Sequence, residues 1–127
     1  ESESNYELLY YGINNLIKGR SLLFLYTNFE SLYAMKRVLP ILRRINKQHL
    51  LVVMFFENSE LSDFADRDIK DLKGIYTQTL AEQFMSDKRL IAQELNNYGI
   101  QTILTKPEEL SISTVNKYLE MKARGMI

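Results

Sequence analysis

Two short stretches, Ser21–Thr27 (SLLFLYT) and His49–Phe56 (HLLVVMFF), are apolar at almost every position between their first and last residues. Each is too short for a buried helix. A strand with one face in water alternates apolar and polar residues, whereas a strand covered on both faces reads as a continuous apolar run, the pattern of a parallel sheet. Parallel neighbours need a crossover of about a dozen residues or more, usually a helix. The stretch between the two runs has that length and helical spacing, so this pair of runs restricts the chain to an α/β architecture.

The rest of the sequence extends the alternation. Ser4 and Glu7 form a capping-box pair, and Tyr6, Leu9, Ile13, Leu16 and Ile17 recur at helical spacing, which predicts a helix over residues 5–18 with Gly19 as a left-handed cap. Leu32, Met35, Leu39, Leu42 and Ile45 predict a second helix over 31–47, which Pro40 is expected to kink or divide. A polar, acidic segment runs from Glu57 to Asp71, with one helical turn expected around Leu61 to Phe64. Tyr76, Leu80, Phe84, Ile91, Leu95 and Tyr98 mark one face of a long helix closed by Gly99, and Ile100–Leu104 is a third, shorter strand. Pro107 and a Ser111 cap introduce the last helix, with Ile112, Val115, Tyr118 or Leu119 and the stem of Lys122 as its core face. The order α-β-α-β-α-β-α predicts a three-layer fold: a parallel sheet of about three strands, joined by right-handed crossovers and flanked by helices. The 127 residues make one such unit. The first run carries neither charge nor proline, the usual protections of an exposed edge. A neighbouring strand is therefore expected from outside this chain, and the opening Glu1 fits a piece of a longer protein.

Composition removes several classes of function. Sixteen basic and sixteen acidic residues cancel, so no net field points to nucleic acid or an anionic membrane. Without cysteine there is no disulfide, thiolate or cysteine-bound zinc, in keeping with a reducing, cytoplasmic setting. His49, the one histidine, opens a strand at the pole opposite the expected site and reads as structural. The five glycines are dispersed, with no phosphate-binding loop, so neither nucleotide nor other cofactor is expected. No apolar run reaches the roughly 18 to 20 residues of a membrane span.

Ligands of open parallel sheets sit at the C-terminal ends of the strands. Those ends carry Thr27-Asn28-Phe29-Glu30-Ser31, Glu57-Asn58-Ser59 and Thr105-Lys106-Pro107, and Asn28, Ser31, Asn58 and Ser59 also serve as turn and cap residues. Lys36, Arg37, Arg43, Arg44 and Lys47 fall on one arc of the second helix, opposite its apolar face. Acids dominate Glu57 to Asp71. These opposed charges are either solvated surface or a bipolar docking surface. A carboxylate pair from Glu57 with Asp63 or Asp66 is the one candidate for acid–base work.

The stretch from Arg20 to Glu30 (RSLLFLYTNFE), followed by Leu39-Pro40 and His49-Leu50-Leu51-Val52-Val53, resembles a bacterial family, and so does the tail Tyr118-Leu119-Glu120-Met121-Lys122. The family is the uncharacterised set of von Willebrand A-like proteins encoded beside MoxR-type AAA+ ATPases. The resemblance spans nearly all of this chain but only the C-terminal half of that domain. It implies a doubly wound sheet of which these are the fourth, fifth and sixth strands, and a metal-ion-dependent adhesion site built mostly in the absent N-terminal half. The adhesion-site Asp after the fourth strand maps onto Asn28, which lacks its charge. The site is then degenerate, and no metal is expected on this piece.

The function implied is a non-enzymatic protein–protein interaction module, an adaptor for an AAA+ ATPase. Its expected interaction residues are Thr27, Asn28, Glu30, Lys36, Arg37, Arg43, Arg44 and Lys47. Its expected partners are a protein, the N-terminal half of its own domain, and a second copy paired through strand 21–27, with no nucleic acid and no membrane contact by this segment, although the parent protein is open to a membrane anchor upstream. The alternative is a receiver-like signalling domain, since Thr105-Lys106-Pro107 imitates the Lys-Pro after a receiver's last strand. That alternative lacks its phosphoacceptor: the strand ends offer Asn28 and Glu57 instead of an Asp.

Overall fold

The computed structural model describes residues 3–29, 31–56 and 71–127. They form α1 (Glu3–Leu16), β1 (Leu22–Tyr26), α2 (Leu32–Gln48), β2 (Leu50–Phe56), α3 (Leu72–Asn97), β3 (Gln101–Thr105), a 3-10 turn (Pro107–Glu109) and α4 (Leu110–Ala123). The strands make one parallel sheet in the order β1-β2-β3, with Leu22 opposite Leu50 and Val52 opposite Gln101. The turn expected around Leu61 to Phe64 lies outside the described residues.

Strand alternation sorts the apolar runs into two cores. Leu23, Leu25, Leu51, Val53, Phe55 and Leu104 pack under α1, α2 and α3. Leu22, Phe24, Leu50, Val52, Met54 and Ile103 face the other way, toward Met121 of α4 and Met126. The chain is thus an α/β fold with a three-stranded parallel sheet between two helical layers. β2 is central and largely buried. β1 is only half-buried on both faces.

α2 runs undivided through Pro40, against the expected break. Proline removes the bond to the carbonyl four residues earlier. Here that carbonyl belongs to Lys36, and both residues lie on the exposed side, open to solvent. The inward face is the expected one, Met35, Leu39, Leu42 and Ile45, joined by Val38 and Ile41. α1 ends at Leu16, short of residue 18, and Ser4 falls inside its range. Gly19 consequently falls beyond the cap position, and the positive-φ glycines are Gly99 and Gly125. Gly99 at φ 82 closes α3 as expected.

Two helix faces depart from the sequence reading. α3 buries Ala81, Lys88, Ile91 and Leu95, while Tyr76, Leu80, Phe84 and Tyr98 are exposed. Twenty-six residues of helix span about 39 Å. The seven-residue β2 spans about 23 Å. The helix is longer than any strand among the described residues and extends beyond them. α4 buries Met121, and Ile112, Val115 and Leu119 face outward. Ser113 of α4 instead meets the buried hydroxyl of Thr105, the last residue of β3, at 2.7 Å, and the same Thr105 hydroxyl donates to the Lys106 carbonyl at 3.2 Å.

Two polar side chains bind the N-terminal ends of the strands together. His49 is buried, and its Nδ1 accepts the Ser21 N–H at 3.1 Å, the structural role expected of it. Asn46 has no counterpart in the sequence reading. Its Oδ1 accepts the Leu51 N–H at 3.2 Å and its amide donates to the Gly99 carbonyl at 3.3 Å. The Leu51 N–H turns toward β3, which begins only opposite Val52, so Asn46 fills a place the ladder leaves open. Asn46→Ala is expected to cost about 1–2 kcal/mol, checked by urea unfolding with an unchanged m-value.

Candidate functional site

β1 lies at one side of the sheet, and no strand among the described residues pairs with its outer edge. The Leu50 N–H donates to the Ser21 carbonyl at 2.9 Å, and the Thr27 N–H donates to the Met54 carbonyl at 3.0 Å. Residues 21, 23, 25 and 27 therefore aim their backbone groups at β2, and by the two-residue period Leu22, Phe24 and Tyr26 aim theirs at the open side. No charge, proline or bulge protects that edge. Three cavities, each of about 230 Å³, flank the same strand. One lies between Leu9 and Ile13 of α1 and Leu23 and Leu25 of β1. Another lies beside Tyr6, Leu25 and Tyr26, and the third beside Leu22, Leu50 and Met126. A backbone edge left unpaired by the described residues, with hollows beside it, is the geometry that strand addition uses.

The second feature is the crest, the end of the sheet formed by the C-terminal ends of the strands. Thr27 is buried, and its hydroxyl has no hydrogen-bond partner among the described residues. Asn28 follows, exposed, and Phe29 turns back into the core, its ring stacked on Tyr6 at 6.0 Å and tilted against Phe55 at 6.3 Å. Ser31 caps α2 by accepting the Ala34 N–H at 3.1 Å. Lys88 of α3 reaches into this turn. Its ammonium donates to Asn28 Oδ1 at 3.1 Å and to the Phe29 carbonyl at 2.7 Å, and it lies 5.4 Å from the centre of the Phe84 ring. The sequence reading passed over Lys88 because it scored apolar positions only. Its spacing to Ile91 and Leu95 was the available signal, since that period places it on the buried face.

The expected interaction residues thus divide between two places. Thr27 and Asn28 meet at the crest, whereas Lys36, Arg37, Arg43, Arg44 and Lys47 are exposed along α2. Arg37 lies over Tyr33 at 5.9 Å and Arg43 over Tyr98 at 4.8 Å, which holds these guanidinium groups to the surface. Glu30 and the carboxylates from Glu57 to Asp68 lie outside the described residues. Asp71, at the end of the acidic segment, caps α3 by accepting the Gly74 N–H at 2.6 Å.

The described residues of the crest do not make up a divalent-cation site. Such ions take several oxygen ligands, carboxylates foremost. Asn28 offers a neutral oxygen already engaged by an ammonium, and no cluster of three His, Asp or Glu side chains able to hold a metal occurs among the described residues. No helix among the described residues is long and apolar enough to cross a membrane. No family model matches the sequence, and comparison with curated proteins and with solved structures likewise finds no match.

Proposed function

We propose that the chain is a non-enzymatic protein–protein interaction module of von Willebrand A-like build, acting in the cytoplasm as an adaptor for a MoxR-type AAA+ ATPase. In this reading β1 is the fourth strand of a doubly wound sheet, and its open side receives a strand from the N-terminal half of the same domain. The unprotected edge of β1 carries the proposal. Its outward N–H and C=O groups, its apolar residues on both faces and the hollows beside it all suit an interior strand better than a final edge. The order β1-β2-β3 suits strands four, five and six of such a sheet.

Sedimentation of the segment alone and joined to the N-terminal half of its parent protein tests this. Alone, the segment is expected to self-associate through strand 21–27, because a second copy is the nearest substitute for the proper neighbour. Joined, it is expected to be monomeric. A segment that stays monomeric alone at millimolar concentration, with a melting temperature unchanged by the N-terminal half, would show that three strands suffice and remove the basis of the proposal.

A further inference from the structure

We infer that the crest of this domain is organised by an internal cation, the ammonium of Lys88, in the place where the resembled fold would hold a divalent metal, so that the Asn28 turn is presented without metal. The inference deepens the adhesion-site part of the proposed function. Its test reads Lys88 and the response to metal directly, so it can fail while the strand-addition reading stands, and the reverse.

Lysine is among the residue types that are almost never fully buried without partners. Lys88 is only 7% exposed, and its stem lies on the buried face of α3 beside Ile91. An ammonium is a compact charge with three donors. Two of the acceptors that Lys88 meets are neutral oxygens from consecutive residues, the Asn28 side-chain amide and the Phe29 main-chain carbonyl. The distances, 3.1 and 2.7 Å, suit N–H···O bonds. The Phe84 ring presents its face to the same nitrogen.

The consequences reach from the turn into the core. Between Asn28 and Phe29 the chain must leave the crest and return its next ring to the interior, where Phe29 meets Tyr6 and Phe55. Fixing the Phe29 carbonyl sets that reversal, and fixing the Asn28 amide sets which way the exposed turn points. A lysine tethered from a helix does this at all times, whereas a metal does it only when bound. The asparagine agrees with this arrangement. Both oxygens are neutral and already accept from the ammonium, so neither adds the anionic charge that a magnesium or calcium site draws on.

The test uses the segment and its Lys88→Met and Lys88→Arg variants. A ligand that binds only the folded state raises its melting temperature. Millimolar magnesium, calcium or manganese, or EDTA, is therefore expected to leave the wild-type melting temperature unchanged. Lys88→Met is expected to lower it by roughly 5–10 °C, and Lys88→Arg, which keeps the charge, to restore most of that loss. If the methionine variant does not fold, acetylation of wild-type lysines followed by peptide mass analysis gives a second readout, with Lys88 expected to react at least tenfold more slowly than exposed Lys36 and Lys47. The inference is overturned if a divalent ion stabilises the wild type or EDTA destabilises it. A methionine variant as stable as wild type, or a Lys88 acetylated as fast as Lys36, would overturn it equally.

Discussion

Phe55→Ala is expected to remove about 3–5 kcal/mol of stability, a large share of the roughly 5–15 kcal/mol available to a domain of this kind. Phe55 is fully buried on the central strand, the costliest place to open a cavity. Its ring lies 6.3 Å from Phe29, which stacks on Tyr6 at 6.0 Å, so one side chain links β2, the turn after β1, and α1. The loss therefore exceeds that of the buried area. Removing the ring leaves Phe29 without one of its two aromatic neighbours and loosens the crest. Thermal unfolding is expected to shift down by roughly 10–20 °C. A drop of under about 1 kcal/mol would mean that the surrounding residues collapse into the space, contrary to the close packing on both faces of β2.

Proline substitutions at two adjacent residues of β1 are expected to give opposite results. The Leu25 N–H turns toward β2, so Leu25→Pro removes a ladder bond and leaves a carbonyl of β2 without its donor, costing roughly 2–4 kcal/mol more than Leu25→Ala. The Phe24 N–H faces the open side, and proline is tolerated at such edge positions. Phe24→Pro is therefore expected to differ from Phe24→Ala by under about 1 kcal/mol. Comparison with alanine at each site cancels the loss of the side chain, so that only the backbone donor is compared. The same pair separates folding from association. Phe24→Pro leaves the fold intact yet blocks an added strand, and self-association is expected to fall at least tenfold, while Phe24→Ala keeps part of it. Equal effects of proline at both sites, measured by urea unfolding and sedimentation, would show that β1 lacks the assigned orientation.

Why some elements were legible and others not follows from how each is constrained. The first two strands were legible because a strand covered on both faces reads as a continuous apolar run, and Leu22–Tyr26 and Leu50–Phe56 are too short between their flanks for buried helices. α2 was legible because its wide apolar arc and its charged arc leave one way to lie on the sheet. Its passage through Pro40 was not, because the sequence does not say which side of the helix meets water. α3 and α4 were misread for a shared reason. Each has more apolar residues than the sheet can cover, so periodicity supplies a stripe without showing which stripe finds a partner. At the candidate site, Thr27 and Asn28 were found from their place after a strand, while Lys88, sixty residues beyond Asn28, was not.

The sequence by itself determined the α/β class, the strands and the crossover helices, because these depend on local period and on apolar content within a window of a few turns. It also showed that the first strand has no protection as an edge. Only the tertiary structure decided which strand lies in the middle and which side of β1 is open. It alone decided that Ser113 of α4 meets the buried Thr105 hydroxyl, and that the Lys88 ammonium closes on the turn after β1. These are contacts between residues far apart in the chain, fixed by the area of one small sheet and by the need of each buried polar group for a partner.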